Sequence, residues 1–389
     1  MQPTETRAPA FGLSIGRGYF NASGLYYLNT GASIAAIGGR SDGHWILPEA
    51  RTPQTLTNQA PDAIHPAMQE LDWDEPDLSL LAALAGKVMK AAMVSMPSAT
   101  IRLSVALPTV LRRDPIRRQD YLNAVCDGLL QHNITLKALN VIAPAQAIAV
   151  ARWHENPLRF GWAQPHGSIT DRIGVIDVGY YGSSVALIEA GQLIAEAPVA
   201  WGMSDALETI RQIVATEYGQ EFSRRAMDEQ LVRFPGRGIW KPNGYSLPLP
   251  DAATDALQTG APELLAAGQQ LWGAAERLDR VLLGGGGAWA VAPALFAALP
   301  RLEIPLSNYL LEHQEQRYRS GAGLQNDIRN FMPQWICAIG AAYHAHLDGQ
   351  VGVSDELPGS SGPPQKNSRF APTASWASCR EASSFPAAP

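Results

Sequence analysis

Cysteine is scarce in this chain, positive charge falls short of negative, and long apolar runs are missing. Cys126, Cys337 and Cys379 are its three cysteines in 389 residues. They have neither metal-ligand spacing nor a pairing framework, which excludes a disulfide scaffold and a cysteine zinc site. Cys126 and Cys337 lie in apolar helical contexts and read as small core residues. No stretch approaches the roughly eighteen apolar residues of a membrane-spanning helix. The first seven residues, Met1 to Arg7, hold no hydrophobic segment of a secretory signal. Lysine and arginine number 30 against 36 aspartates and glutamates, a net charge of −6, which argues against a broad nucleic-acid-binding face. The ten tryptophans form no stacking array for single strands. No Ser-His-Asp or Cys-His signature is present, and His344-Ala345-His346 reads as a solvated helix end. These absences together point to a reducing cytoplasm, with no membrane contact and no direct nucleic-acid contact.

What is present is a globular α/β pattern, 46% hydrophobic and 17% charged, long enough for two domains. Phe11–Gly18 reads as a strand, residues 21–60 as short turn-rich strands and residues 71–76 as a loop. Asp77–Met93 reads as a helix capped by Asp77. Ile101–Leu107 alternates as a strand stopped by Pro108. Arg112–Arg118 reads as a basic, solvated turn, and Asp127-Gly128 lies inside a helical pattern. Ile134–Ile142 is a further strand, followed by a helix opened by Pro144. Residues 173–199 read as a three-stranded meander. A helix capped by Asp205, with Glu208 three residues on, runs to Gly219. Helices are expected over 222–232, 261–278, 291–299 and 333–344, with a short strand at 245–249. From Leu347 the composition turns to Gly, Ser, Pro and Ala without periodicity, which predicts a disordered tail.

Two stretches carry chemistry. In the first, the apolar strand Ile173–Val178 ends in Asp177-Val178-Gly179. A turn with Gly182, Ser183 and Ser184 leads into a second strand. An Asp at a strand end beside a turn of backbone N–H groups suits a phosphate and its metal ion; an ordinary hairpin with a polar loop is the competing reading. The segment Ser14-Ile15-Gly16 echoes it and raises an internal duplication. In the second stretch, strand Arg280–Leu283 runs into four glycines, Gly284 to Gly287, and then a helix. Bare backbone there would let a flat ligand or phosphate lie close. The competing flexible linker fits poorly between buried-looking segments.

In this order, these pieces resemble the actin, sugar-kinase and DnaK-type ATPase superfamily. They look closest to the actin-like proteins of the ParM/StbA plasmid-segregation type, with Val105–Pro108 similar to that family's "T-G-L-P" strand end. The resemblance spans about residues 11–346. It implies an actin-like α/β fold of two RNase-H-like domains around a nucleotide cleft, with domain I at 1–160, domain II at 161–346 and the tail at 347–389. It further implies ATP or GTP with Mg²⁺, weak ATPase activity, homopolymer filaments, and DNA cargo reached through an adaptor protein. Carried across, Ser14, Gly16 and Gly18 would form the first phosphate loop. Asp177, Gly179, Gly182 and Ser183 would form the second, with Asp177 facing Mg²⁺ through water. Gly284, Gly285 and Gly286 would lie against adenosine, Glu229 would take a ribose hydroxyl, and Gln146 would orient the attacking water. The chain departs from the family at Ser14, where the first loop ordinarily starts with Asp. That departure raises the alternative of a non-hydrolysing actin-fold scaffold. A small-molecule kinase on this fold would need a catalytic Asp near the acceptor hydroxyl, and none stands in a fitting context.

Overall fold

The alternating apolar segments assemble into two sheets built on one plan. The structure, a computed structural model, describes residues 8–16, 19–28, 31–40, 45–46, 77–93, 100–153, 171–219, 221, 227, 239–240, 247–299, 301–305 and 327–347. The expected helix over 222–232 (Met227 apart), Arg17, Gly18, Glu229 and the tail beyond residue 347 lie outside them.

Sheet one holds β1 (Ala10–Ile15), β2 (Tyr19–Leu28), β3 (Gly31–Arg40), β4 (Trp45–Ile46), β5 (Thr100–Ala106) and β6 (Thr135–Ile142) in the order β4-β3-β2-β1-β5-β6. Sheet two holds β7 (Arg172–Val178), β8 (Ser183–Glu189), β9 (Gln192–Val199), β12 (Arg280–Gly284) and β13 (Leu302–Glu303) in the order β13-β12-β7-β8-β9. Between β9 and β12 in sequence, β10 (Ile239–Trp240) and β11 (Leu247–Pro248) form a separate two-stranded ladder. With β4 set aside, each sheet is an antiparallel meander of three strands whose first member pairs in parallel with a later strand, which in turn pairs in parallel with the last one. The echo between Ser14-Ile15-Gly16 and Asp177-Val178-Gly179 is therefore a repeat of topology. In place of short turn-rich strands, residues 19–40 form two ten-residue strands in full register.

The strand period of two decides which side chains face inward between the sheets. In β1, Phe11, Leu13 and Ile15 pack with α1 (Leu78–Ala92) and α3 (Pro115–Gln131), so Gly12 and Ser14 face the other way. In β7, Ile176 and Val178 join the core of the second half, while Ile173 and Val175 face α4 (Pro144–Trp153). Asp177 shares that second face. One apolar cluster joins Ala10 and Ala106 of sheet one, α4, Ile173 and Leu282 of sheet two, and the last helix, Asp327–His346. That helix follows sheet two in the chain and packs on β1, β2 and β5 as well as on α4. Its small residues permit this. A Cβ at Gly340 would collide with the Ala147 carbonyl oxygen of α4.

Local chemistry sets the helix ends. Asp77 accepts from Ser79 N and Leu80 N at 3.0 Å each, as its cap role predicts. The basic segment is not a solvated turn. Thr109–Arg112 is a short helix, α2, and Asp114 caps α3 through Ile116 N and Arg117 N. Helix α5 (Met203–Tyr218) has Gly202, not Asp205, at its cap. Asp205 is three residues inside and accepts from Gly202 N at 2.9 Å, while Glu208 pairs with Arg211 at 2.6 Å. Gly219 ends it at φ 64°, as expected. Helix α6 (Asp251–Leu257) gave no sequence signal that was read. The 261–278 helix stops at Trp272 as α7, since Gly273 turns the chain. Helix α8 (Ala288–Ala298) starts three residues early, and the last helix, α9, starts at Asp327. His344 is not solvated; it is 1% exposed, with Nδ1 2.9 Å from Ser104 Oγ.

Gly340→Val should lower stability by about 3 kcal/mol through overpacking at the α4–α9 crossing. Gly286→Ala, with nothing within 4 Å of the added methyl, should stay within about 0.5 kcal/mol of wild type. Urea unfolding midpoints measure both, and equal midpoints for the two variants would refute the crossing.

Candidate functional site

The two hairpin turns, at the first end of each meander, border one cavity of about 310 Å³, within the range of small-ligand sites. Register makes the turns equivalents. The last β1–β2 pair is Ile15 with Phe20, enclosing four residues; the last β7–β8 pair is Val178 with Ser183, also enclosing four. Ser14 therefore occupies the place in sheet one that Asp177 occupies in sheet two. Their parallel neighbours are Ala106 and Gly284.

Ser14, Gly16, Asp177, Gly179, Gly182, Ser183, Gly285 and Gly286 all line this cavity. Ser183 Oγ donates to the Trp201 carbonyl at 2.8 Å, so it ties the turn to the segment leading into α5. The Gly179 and Tyr180 carbonyls accept from Met203 N at 3.1 Å and Ser204 N at 2.7 Å. These bonds satisfy orphan donors of α5 and fix the turn. Beside Asp177, Gly285 has φ 88°, and a Cβ there would stand 2.5 Å from Asp177 Oδ1. Only glycine permits both the backbone angle and the approach. Gly287 N donates to Val178 O at 2.9 Å, so the glycine run is pinned to β7 and is no linker. The N-terminal end of α8, with its partial positive charge, borders the cavity through Gly287 and Trp289.

Other expected residues lie elsewhere. Gly284 sits in the ladder, and a side chain on it would meet Ile148 Cδ1 at 2.7 Å; it does not line the cavity. Gln146 is 1% exposed, and its amide nitrogen donates to Gly191 O at 3.4 Å. The first turn of α4 reaches the cavity through Pro144 instead, because helical periodicity directs Gln146 into the seam.

The lining also includes residues that sequence reading missed: Thr109, Glu196, Trp289 and Cys337. Glu196 had a legible signal, as an isolated carboxylate in an otherwise apolar strand. It is 7% exposed, and Arg112 meets its Oε2 at 2.5 Å, while Arg113 donates to its carbonyl at 3.1 Å. This ion pair joins α2, between β5 and β6 of sheet one, to β9 of sheet two. No lysine or arginine is among the described lining residues.

Burial raises the Asp177 carboxyl to about 7, and the negative charge of Glu196 adds to the rise. Cys337 Sγ lies 4.0 Å from Asp177 Oδ1; burial, then Asp177, pushes its thiol well above the ordinary range. Among the described residues no cluster of three or more His, Cys, Asp or Glu could hold a metal. Asp177 alone fits a Mg²⁺ ion that arrives with substrate phosphates, the usual Mg²⁺ arrangement; the donor set does not fit a resident metal.

The raised Asp177 fixes a pH dependence. Below its ordinary value of 3.8 the group is protonated both folded and unfolded. Above it, the unfolded chain ionises first, so stability falls as pH rises and levels off past about 7. Asp177→Asn should therefore melt several degrees above wild type at about pH 8, with the gap closing toward pH 4. Melting curves across that range measure it, and a gap independent of pH would contradict the assignment.

No protein-family model and no curated protein matches the sequence. Among solved structures, MreB5 of Spiroplasma citri bound to ADP aligns with a TM-score of 0.55 at 13% identity, over 89% of this chain and 98% of that one. A Bacillus thuringiensis ParM hybrid protein with ADP, containing two ParM mutants, gives 0.53 at 12% identity over 90% of this chain and 50% of that one. The apo psk41 ParM protein gives 0.49 at 12% identity, over 88% and 98%. With its duplicated sheets and the cavity between their hairpins, the chain has the actin-like fold of the MreB and ParM proteins.

Proposed function

We propose that this chain binds a nucleoside triphosphate with Mg²⁺ between two lobes and assembles into filaments when it does so. The observation that carries this reading is the register twin. Two four-residue turns, one after Ser14-Ile15 and one after Asp177-Val178, border a single cavity through Gly16 and through Gly179 and Gly182, with the bare backbone of Gly285 and Gly286 also lining it. MreB5 and the ParM hybrid, similar in fold, were solved with ADP, which supports a nucleotide as the occupant. In this reading Ser14, Gly16 and Gly18 cradle phosphates from the first lobe. Gly179, Gly182 and the Ser183 backbone do so from the second. Asp177 holds Mg²⁺ through water, which would supply the positive charge that no described lining side chain provides, and Gly285 and Gly286 contact adenosine. Glu229 as a ribose ligand belongs to the same proposal, with ATP or GTP as the nucleotide. The filament would position or segregate DNA through an adaptor, since a net charge of −6 disfavours direct DNA contact.

Ser14 in the place of a second carboxylate favours one alternative, a scaffold that binds nucleotide without turning it over. Phosphate release separates the two readings.

Asp177→Ala should weaken binding of N-methylanthraniloyl-ATP with Mg²⁺ by about tenfold or more, and unchanged affinity would reject the site. Light scattering and negative-stain microscopy at several micromolar protein with ATP and Mg²⁺ should show filaments; their absence would reject assembly while leaving binding intact.

A further inference from the structure

The two sheets meet in the seam filled by α4 and α9. A second link joins them elsewhere. Arg112 Nη2 of α2 donates to Glu196 Oε2 of β9 at 2.5 Å, and Arg113 Nη2 donates to the Glu196 carbonyl oxygen at 3.1 Å. Helix α2 lies between β5 and β6 of sheet one, and β9 is an edge strand of sheet two. These bonds therefore hold one half of the fold to the other. Seam and link border the same cavity: Pro144 and Cys337 line it from α4 and α9, and Thr109, Val110 and Glu196 line it from the linked elements. Val110 is also 53% exposed, so the linked side of the cavity adjoins solvent.

Packing alone does not call for a charge pair here. Apolar side chains of similar volume would join α2 to β9 about as firmly, because desolvating both charges offsets most of their attraction. An ion pair differs in how it fails. Its attraction is strong while water is excluded and weak once water fills the gap, so such a link either holds or lets go. The seam is of the opposite kind. It is a continuous apolar cluster with Gly340 seated on the Ala147 carbonyl, and interiors packed in this way yield little. We propose that the Arg112–Glu196 pair, with Arg113, is a latch that holds the two lobes together over the cavity and controls the passage of a nucleotide in and out. The identity of the ligand rests on the nucleotide reading of the cavity; the latch itself does not. When the pair parts, water takes both charges, the lobes pivot on the α4–α9 seam, and Cys337 behind the link becomes accessible. When it closes, entry and exit slow alike, because the pair is made with or without ligand. The latch thus sets the exchange rate and leaves affinity nearly unchanged.

Cys337 gives a readout that needs no nucleotide. It is buried at the cavity, and Cys126, buried in α3, is an internal control. The test compares wild type with Arg112→Gln/Glu196→Gln, which removes both charges and leaves neither unpaired. Without nucleotide, N-ethylmaleimide should modify Cys337 about fivefold or more faster in the variant, read by peptide mass spectrometry, with Cys126 within about twofold. Unchanged labelling of Cys337 would overturn the latch. Equal acceleration at both cysteines would also overturn it, since that reports general loosening. With N-methylanthraniloyl-ATP and Mg²⁺, stopped-flow association and dissociation rates should both rise about fivefold or more, with Kd within about threefold. Unchanged rates, or a rise in dissociation alone, would overturn control of passage. A wild type that binds no analogue would remove the nucleotide reading, and Cys337 labelling would still decide the latch. Should the double variant fail to fold, Glu196→Gln alone carries the test. Cys337 labelling about threefold or more faster supports the latch, and unchanged labelling overturns it.

Discussion

The crossing of α4 and α9, where Gly340 rests on the Ala147 carbonyl, governs the spacing of everything around it. Both helices lie in the seam between the sheets, and one apolar cluster takes residues from each sheet and from both helices. Small residues let the backbones approach, and close-packed interiors transmit any change in that distance. The cavity is the end of this seam that side chains leave open. Its width between Ser14 and Asp177 is thus set by alanines and glycines that never touch it.

The electrostatics of the cavity follow from the same geometry. Two acidic groups, Asp177 and Glu196, face a space with no basic side chain among its described lining residues. Arg112 approaches from behind and engages Glu196, so only one carboxylate is neutralised by the protein. Asp177 has burial and a like charge against it, and both hold its proton on until near pH 7.

The duplication gives the two halves one frame and unequal chemistry. Equivalent register places Ser14 and Asp177 at matching points, but Ala106 and Pro108 follow one parallel strand where Gly284 to Gly287 follow the other. The run of consecutive glycines therefore stands on the second side. On the first side, α2 begins at once and brings Thr109 to the wall. The asymmetry turns a repeated scaffold into a cleft with distinct walls.

The sequence by itself determined the strands, the hairpin at Asp177, the glycine turn and most helix stops. Each depends on neighbours within a few residues: alternation, a cap, a glycine at positive φ. It also made the twin turns legible, since an Asp-x-Gly and a Ser-x-Gly at strand ends are local patterns. Only the tertiary structure decided that Gln146 points into the seam and Gly284 into the ladder. Side-chain direction on a buried helix or strand depends on what packs against it. The pairing of Arg112 with Glu196, 84 residues apart, was beyond any local pattern. It arises because both sheets close on the same two helices, so the partners meet only after the whole fold has formed.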